Sequence, residues 1–389
     1  MKASIIIPSY NSNERLYYNL LSLNNQDYDF KEFEAVVVDN GSTDNTIGML
    51  KKFQNRAKFT LKFTRLEENK GIACGRNTAV KMAEGDILIF HDSDMIAPRD
   101  FVSRHLKDHE EKNVVVCSVS WKRIVSFYYK ELENNGPHYE GLSFVKASPC
   151  KSEKFPILNE RLIKSGAYMN YAFDLDNGFI NEIKDILKKH NGNLSEYALP
   201  WRMFITNNAS AEREDVIKVG MFDEGIVGYG FEDYDLGIRL YKLGCKFVFD
   251  ENILNVHQEH PTNNKIDEYT DNVGYMCNKY DSIYFIDVIL VCMGYITSID
   301  KSYLNELVCE INEMLKIDYC RSILKVFLEL LQIKRRKSLN DHQNNSSSSM
   351  IINYINQDEF VNLMMILENF YGIKYFPKAI ESLLNDIFS

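Results

Sequence analysis

GDILIFHDSDMIAP, residues 85–98, decides how this chain folds. Ile87 to Phe90 form an apolar run with no polar alternation, the pattern of a strand covered on both faces. The run stops at His91-Asp92-Ser93-Asp94, so two carboxylates one residue apart close a buried strand. In extended chain, side chains at i and i+2 point the same way, which predicts that Asp92 and Asp94 face one site together. Unpaired, they repel and one is pushed toward neutrality. A divalent cation relieves that conflict, and hard oxygen ligands suit Mg²⁺ or Mn²⁺ alongside the phosphate oxygens of a substrate. Taken alone, Asp-Ser-Asp is also ordinary turn chemistry.

On the N-terminal side, strand and helix patterns alternate. SIIIP (4–8), EAVVVD (34–39) and FTLKFTRL (59–66) read as strands. SNERLYYNLLSLNNQ (12–26) places Leu16, Leu20 and Leu23 on one helical face, with Asn11 or Ser12 as the cap. GSTDNTIGMLKKF (41–53) is a second helix capped at Ser42 or Thr43, and NKGIACGRNTAVKMAEG (69–85) a third. NVVVCSVSW (113–121) extends the strand set. Strands separated by helices at this spacing predict an α/β fold with a mostly parallel, doubly wound sheet. Such sheets bind ligands at the carboxyl ends of their strands. Asp39, Asp92, Asp94 and the loop Pro8-Ser9-Tyr10-Asn11 all fall on that rim.

On the C-terminal side, periodicity weakens from about 125 to 200. Gly136, Pro137, Gly141, Pro149 and Pro156 there predict a long, partly irregular insert that either shapes a binding site or is surface decoration. Order returns at DVIKVGMFDEG (215–225), GFEDYDLGIRLYKLG (230–244), KFVFD (246–250) and ILNVH (253–257). Beyond about 265 the pattern is helical. IKRRKSLNDHQNNSSSS (333–349) reads as a flexible connection before a last amphipathic segment, 350–388. A catalytic domain over 1–265 and a helical region over 266–389 follow from this division.

Bulk chemistry excludes some classes. Lys plus Arg is 45 and Asp plus Glu 55, a formal net charge of -10, which argues against a nucleic-acid binder. The eight cysteines include no C-x-x-C clip, so a structural zinc is not expected and buried thiols in a reducing compartment are. IYFIDVILVCMGYI (283–296) carries Asp287 and is shorter than the ~20 residues that span a bilayer, so it reads as a core helix. A soluble cytoplasmic protein is expected, and the basic KRRK (334–337) leaves contact with an anionic inner membrane face open. The C-terminal helices pack on the catalytic domain, bind a partner, form a homodimer or close over the acceptor; helical pattern does not choose.

SIIIPSYNSNERL, AVVVDNGSTDNT, NKGIACGRNTAVKMAEGDILIFHDSD and GYGFEDYDLGIRLYKLG, in this order and spacing, resemble the family 2 glycosyltransferases of the fold called GT-A. The resemblance covers about 1–260 apart from the insert. FITNNASAEREDVIKVGMFDEGIVGYGFEDYDLGIRL (204–240) looks like the galactosyltransferase-type domain of bacterial chondroitin polymerases and of the mucin-type polypeptide transferases. The resemblance implies a UDP-sugar-dependent transferase with Mn²⁺ or Mg²⁺ and a glycan, lipid-linked or peptide acceptor. It implies that Pro8, Tyr10, Asn11 and Asp39 hold the base and that Asp92 and Ser93 meet ribose or a metal-bound water. Gly71 and Arg76 would approach the diphosphate, and Asp94 with His257 would ligate the metal, with Asp92 as a further ligand. In the Glu-Asp pair, Asp233 would be the general base of an inverting enzyme and Glu232 would hold the acceptor. Asp235 is expected to be structural, His260 to lie outside the site, and His91 to support the strand end. The mucin-type relatives are retaining enzymes, so that stereochemistry is the alternative, together with a non-catalytic sugar- or nucleotide-binding scaffold. A dehydrogenase would want G-x-G-x-x-G where this chain has PSYNSN, and no G-x-x-x-x-G-K-[ST] is present for a P-loop enzyme.

Overall fold

The β-branched runs SIIIP and AVVV do become the floor of a sheet. In this computed structural model, which describes residues 1–119, 121–134, 153–262, 265–294, 296–339 and 357–388, every residue of β1 (Ala3–Ser9) and of β2 (Phe33–Asp39) is buried. β3 (Thr60–Arg65) is partly exposed, as its edge position requires, and β4 (Ile87–Phe90) is fully covered. β1, β2, β3 and β4 pair in parallel, with Ser9 opposite Asp39 and Ile6 opposite Phe90. The helices α1 (Asn13–Leu23), α2 (Thr46–Gln54) and α3 (Ile72–Met82) connect them, and α4 (Phe101–Lys107) follows β4. Leu16, Leu20 and Leu23 are buried as their spacing predicts.

The sheet departs from simple parallel winding on its other flank. β6 (Val114–Cys117) does not lie against β4. Between them runs β11 (Ala209–Glu212), antiparallel to both, and β12 (Lys246–Phe249) closes the order β12-β6-β11-β4-β1-β2-β3. β11 reads ASAE, short and small, so neither hydrophobicity nor alternation marks it as a strand.

A second, four-stranded sheet lies beyond the end of β4. Asp94 leads into β5 (Met95–Ile96), which pairs antiparallel with β13 (Val256–Gln258), His257 facing Met95. β7 (Lys122–Ile124) and β10 (Phe173–Asp174) complete the order β10-β7-β13-β5. The stretch expected to be irregular is therefore more ordered than its composition implies. It holds β7, the hairpin of β8 (Phe127–Tyr129) with β9 (Lys154–Pro156), α5 (Glu160–Ser165) and α6 (Gly178–Lys189). Asn159 and Asn177 cap the two helices through their side chains, and Ile180, Ile183 and Leu187 bury one face of α6. Gly136, Pro137, Gly141 and Pro149 lie outside the described residues. α7 (Arg213–Lys218) and α8 (Glu232–Leu243) complete this part.

By contacts the chain forms two compact units. One comprises Met1–Glu196, Pro200–Gly228 and Glu232–Lys265, the other Tyr197–Leu199, Tyr229–Phe231 and Ile266–Ser389. The second unit contains α9 (Ile266–Lys279), α10 (Ile286–Cys292), α11 (Leu304–Met314), α12 (Asp318–Ser338), α13 (Gln357–Tyr371) and α14 (Tyr375–Phe388). Its core includes Leu307, Leu331 and Leu383, with Phe327 against Phe376 at 4.9 Å between ring centroids. Glu310 caps the last helix by accepting from the backbone N–H groups of Lys374, Tyr375 and Phe376. α10 is a buried helix, as its apolar sequence predicts.

One expectation is corrected here. Residues 333–338 of the supposed flexible connection are the last turns of α12, and 340–349 lie outside the described residues. Within KRRK, Arg335 is buried and donates to the Gly274 carbonyl, and Lys337 donates to the Ile387 carbonyl. Among the described residues, no helix is long and apolar enough to cross a membrane.

Candidate active site

The carboxyl ends of β1, β2 and β4 are laced together by short polar side chains. Ser12 Oγ donates to Ser93 Oγ at 2.9 Å and lies 2.9 Å from Ser9 Oγ. Asn11, with φ +49°, accepts from the Thr43 N–H at 2.8 Å through its Oδ1. Asp44 Oδ2 accepts from the Asn13 N–H and Asp44 Oδ1 from the Thr46 N–H. The expected caps Ser12, Ser42 and Thr43 are therefore employed differently. Asp44 serves both helix starts, while Ser12 ties the first loop to the fourth strand. Asn11 and Ser93 both take part in these ties. Pro8 is buried in β1, its Cβ 3.5 Å from where a Cβ on Gly75 would sit, so it shapes the floor under α3.

Asp39 ends β2, and Tyr10 follows the end of β1. Asp39 is fully buried; its Oδ1 accepts from the Ser42 N–H at 3.0 Å. Its Oδ2 makes no hydrogen bond and lies 3.7 Å from Arg65 Nε. Tyr10, two positions past Pro8, is 46% exposed. Gly71 does precede α3, but its own N–H is taken by Asn69 Oδ1 at 3.0 Å, so it is not a free anion donor.

Arg76 is not where a diphosphate clamp would be expected. Its side chain is 2% exposed and joins two carboxylates: Nη2 donates to Asp92 Oδ1 at 2.9 Å and Nη1 to Glu232 Oε1 at 2.8 Å. Burial opposes the charge, but the two carboxylates outweigh it and raise the Arg76 pKa. Asp92 is pushed up by burial and by Asp94 despite Arg76. Glu232 Oε2 is buried without a hydrogen-bond partner. Next to it, Asp233 accepts from the Tyr234 N–H at 2.8 Å. Burial first and Glu232 second lift its pKa to about 7, with Arg76 pulling the other way. A carboxylate in that range is a competent proton acceptor near neutrality. Asp235 is buried and paired with Arg239 at 2.6 Å, structural as expected.

Asp92 and Asp94 do not face one partner. The Met95 N–H donates to the Asp92 carbonyl, so 92–95 is a turn rather than extended chain, and the i, i+2 geometry does not apply. Asp92 goes to Arg76, and Asp94 goes to two imidazoles. Asp94 Oδ2 lies 3.0 Å from His260 Nε2 and 3.6 Å from His257 Nε2. Atoms of Asp94, His257 and His260 lie within 4.8 Å of one another and could hold a metal ion; Asp92 is not in this group. Burial would raise Asp94, but His257 and His260 hold its carboxyl well below the usual range. His257 Nδ1 lies 3.2 Å from Glu259 Oε1, which leaves Nε2 toward Asp94, and Arg123 holds Glu259 at 3.2 Å. His260, expected to lie outside the site, is grouped with Asp94 and His257, and Glu259 was not among the candidate residues. The available signal was the spacing HQEH itself. His91 is buried against Phe101, 4.8 Å between ring centroids, in keeping with support of the strand end.

Residues 4–173 match glycosyl transferase family 2, and residues 189–260 match the N-terminal domain of galactosyltransferase. An uncharacterized glycosyltransferase of Bacillus subtilis (strain 168), YfnE, is 45% identical over 389 residues, covering 100% of this chain and 97% of that protein. The chain belongs to glycosyl transferase family 2. Other relatives of this family 2 glycosyltransferase are longer. The chondroitin synthase of Pasteurella multocida (strain Pm70) is 28% identical over 262 residues, 66% of this chain but 25% of that protein. The crystal structure of S. aureus TarS covers 87% of this chain and 54% of that one, at 17% identity and a TM-score of 0.49.

The bridge itself is testable in this family 2 enzyme. Arg76→Lys keeps the charge but loses the two-pronged fork, since an ammonium on a flexible stem cannot reach both carboxylates in fixed geometry. We expect a loss of about 1–3 kcal/mol in unfolding free energy, measured by urea titration at pH 7.5.

Proposed function

We propose that this glycosyltransferase moves a hexose or N-acetylhexosamine from a UDP-sugar to an acceptor hydroxyl, with inversion and with help from a divalent metal. The observation that carries the proposal is the Arg76 bridge. One buried guanidinium joins Asp92, at the end of β4, to Glu232, whose chain neighbour is Asp233, and this supports a donor site and a base that work side by side. Asp39 Oδ2, lacking a hydrogen bond, suits the imide N–H of uracil, and exposed Tyr10 offers a stacking face.

The residues present fit a metal. Asp94 Oδ1 is buried with no hydrogen-bond partner, and the donor set of one carboxylate and two imidazoles favours Mn²⁺ over Mg²⁺. When bound, such an ion supplies Lewis-acid neutralisation of the leaving diphosphate. Glu232 Oε2 accepts from a neighbouring hydroxyl of the acceptor, and Asp233 takes the proton of the attacking hydroxyl as its oxygen bonds to the anomeric carbon on the face opposite the departing diphosphate. The acceptor is a glycan, a lipid-linked glycan or a peptide side chain. A 110-residue stretch is 44% identical to the poly(ribitol-phosphate) beta-N-acetylglucosaminyltransferase TarS of Staphylococcus aureus (strain Mu50 / ATCC 700699), which brings a phosphate-linked polyol polymer into the set. The test is a panel of UDP-Gal, UDP-Glc, UDP-GalNAc and UDP-GlcNAc with Mn²⁺ or EDTA, scored for release of UDP. No turnover of any of them, with or without acceptor, would overturn the proposal.

The pKa of Asp233 gives this mechanism a pH signature. Below about 7 the base is protonated, so the UDP-sugar turnover rate should fall about tenfold per pH unit on the acid side and level off above about 8. Stability runs the other way. The folded-state pKa lies above the unfolded value of 3.8, so the group's stabilising contribution is full below about 4 and is lost as pH rises through about 7. Asp233→Asn should therefore melt above the parent at pH 8, with the margin closing toward pH 5, as scanning calorimetry would read.

A further inference from the structure

The turn that separates Asp92 from Asp94 is held by a helix. Asn19 Nδ2 donates to the Asp92 carbonyl at 2.8 Å, and the Met95 N–H donates to the same oxygen at 3.1 Å. The first bond ties the start of the turn to α1, and the second closes it. From this turn the Asp92 side chain leaves toward Arg76 Nη2, 2.9 Å away, and the Asp94 side chain toward His260 Nε2, 3.0 Å away.

Asn19 belongs to a stripe. Ser12, Asn19, Ser22 and Gln26 recur at intervals of seven, three and four residues, which puts them on one side of a helix. Each engages the segment that follows β4. Ser12 Oγ donates to Ser93 Oγ at 2.9 Å, the Ala97 N–H donates to Ser22 Oγ at 3.0 Å, and Gln26 Nε2 donates to the Pro98 carbonyl at 2.7 Å. Gln26 Oε1 accepts from the Val102 N–H at 3.0 Å. All four side chains are buried, so a polar face of α1 and its flanks splints residues 92–102.

Within the stripe, Asn19 occupies a costly position. It is 0% exposed in the interior of α1, where asparagine is a poor helix former, and its Oδ1 makes no hydrogen bond. A leucine, like the neighbouring Leu16 and Leu20, would fill such a place without either penalty. What a leucine cannot supply is the donor to the Asp92 carbonyl.

We propose that Asn19 is a positioning residue for the donor site: by holding the Asp92 carbonyl it fixes the turn that sends one carboxylate to Arg76 and presents the other to the metal ion. This rests on Asp94 as a ligand of that ion. Partners that only orient a ligand commonly account for about 10- to 100-fold in metal affinity, so relaxation of the turn has a measurable effect.

The experiment titrates Mn²⁺ calorimetrically into the full chain at saturating UDP. Asn19→Leu keeps the volume and removes the amide, and it should weaken Mn²⁺ binding by about 10- to 100-fold. Its melting temperature should stay within about 4 °C of the parent, because the Asp92 carbonyl keeps the Met95 N–H and the partnerless Oδ1 is gone. Ser22→Ala is the control on the same face. It takes the Oγ acceptor from the buried Ala97 N–H, so it should lower the melting temperature and leave the Mn²⁺ affinity near the parent value. Equal Mn²⁺ affinity in Asn19→Leu and the parent would overturn the inference. So would an equal loss in Ser22→Ala, since any loosening of α1 would then suffice. Should Asn19→Leu not fold, Asn19→Ala gives the same reading; failure of both to fold would make Asn19 a residue of the fold alone and would also overturn the inference. Asp94→Ala separates the two readings. If it loses Mn²⁺ while the Asn19 variants bind like the parent, this inference fails alone. If it binds Mn²⁺ like the parent, the ligand assignment has failed and the inference with it.

Discussion

Asp233→Asn should lower turnover by on the order of 10²- to 10⁴-fold while UDP binding stays near the parent value. The substitution is close to isosteric, and its Oδ1 can still accept from the Tyr234 N–H that Asp233 engages at 2.8 Å. It removes the negative charge that burial and Glu232 disfavour, so the fold loses nothing by it. What disappears is the only function an amide cannot supply, acceptance of a proton from the attacking hydroxyl. Calorimetry with UDP and Mn²⁺ would report the donor site, and UDP release would report the chemistry. Retention of full turnover would remove Asp233 from the base role. A parallel loss of UDP affinity would mean that the change propagates through Glu232 and Arg76 into Asp92, making the bridge a shared structural unit instead of a frame for the base.

The sequence disclosed the parts of the fold that rest on continuous apolar runs. β1, β2 and β4 are covered on both faces, so their side chains are uniformly apolar, and the helices between them carry leucines at helical spacing. β11 escaped because a central strand of ASAE is accommodated by what packs around it, not by its own propensity. β5, β7, β10 and β13 escaped for a related reason. Strands of two or three residues have no period to detect, and their pairings join segments from about 50 to about 160 positions apart. The end of α12 was misassigned because a basic, polar run looks solvated, whereas Arg335 spends its guanidinium on a carbonyl inside the helical unit.

Within the site, residue types were legible and their partners were not. Asp39, Asp94, Asp233 and His257 stand out by motif. Nothing local says that Arg76 turns inward to two carboxylates, one of them 156 positions away, instead of toward an anion. The i, i+2 expectation for Asp92 and Asp94 failed because it assumed extended chain across a segment that closes as a turn. His260 was expected to lie outside the site, yet beside the β5–β13 pairing two imidazoles meet one carboxylate.

That pairing makes the metal site the place where the largest loss is expected. Chelation by EDTA should abolish UDP-sugar turnover, and Mn²⁺ should restore it more fully than Mg²⁺, because two of the three candidate ligands are imidazoles. Asp94→Ala should have the same effect permanently, since it removes the carboxylate that both histidines face. Glu259→Gln, which only loosens the orientation of His257, should weaken Mn²⁺ binding by about 10- to 100-fold, and loss of a ligand should cost at least that much. His260→Ala is the decisive variant. If His260 is a ligand, its loss should equal that of His257→Ala when Mn²⁺ affinity is titrated calorimetrically. If it only steadies Asp94 through the 3.0 Å hydrogen bond, affinity should drop in His257→Ala and hold in His260→Ala. The ligating sphere would then comprise Asp94 and His257 with substrate oxygens, and the ion's affinity would depend on bound nucleotide. Titrating Mn²⁺ with and without UDP separates these cases, because a three-residue set binds the ion appreciably by itself while a two-residue set needs the diphosphate to complete it.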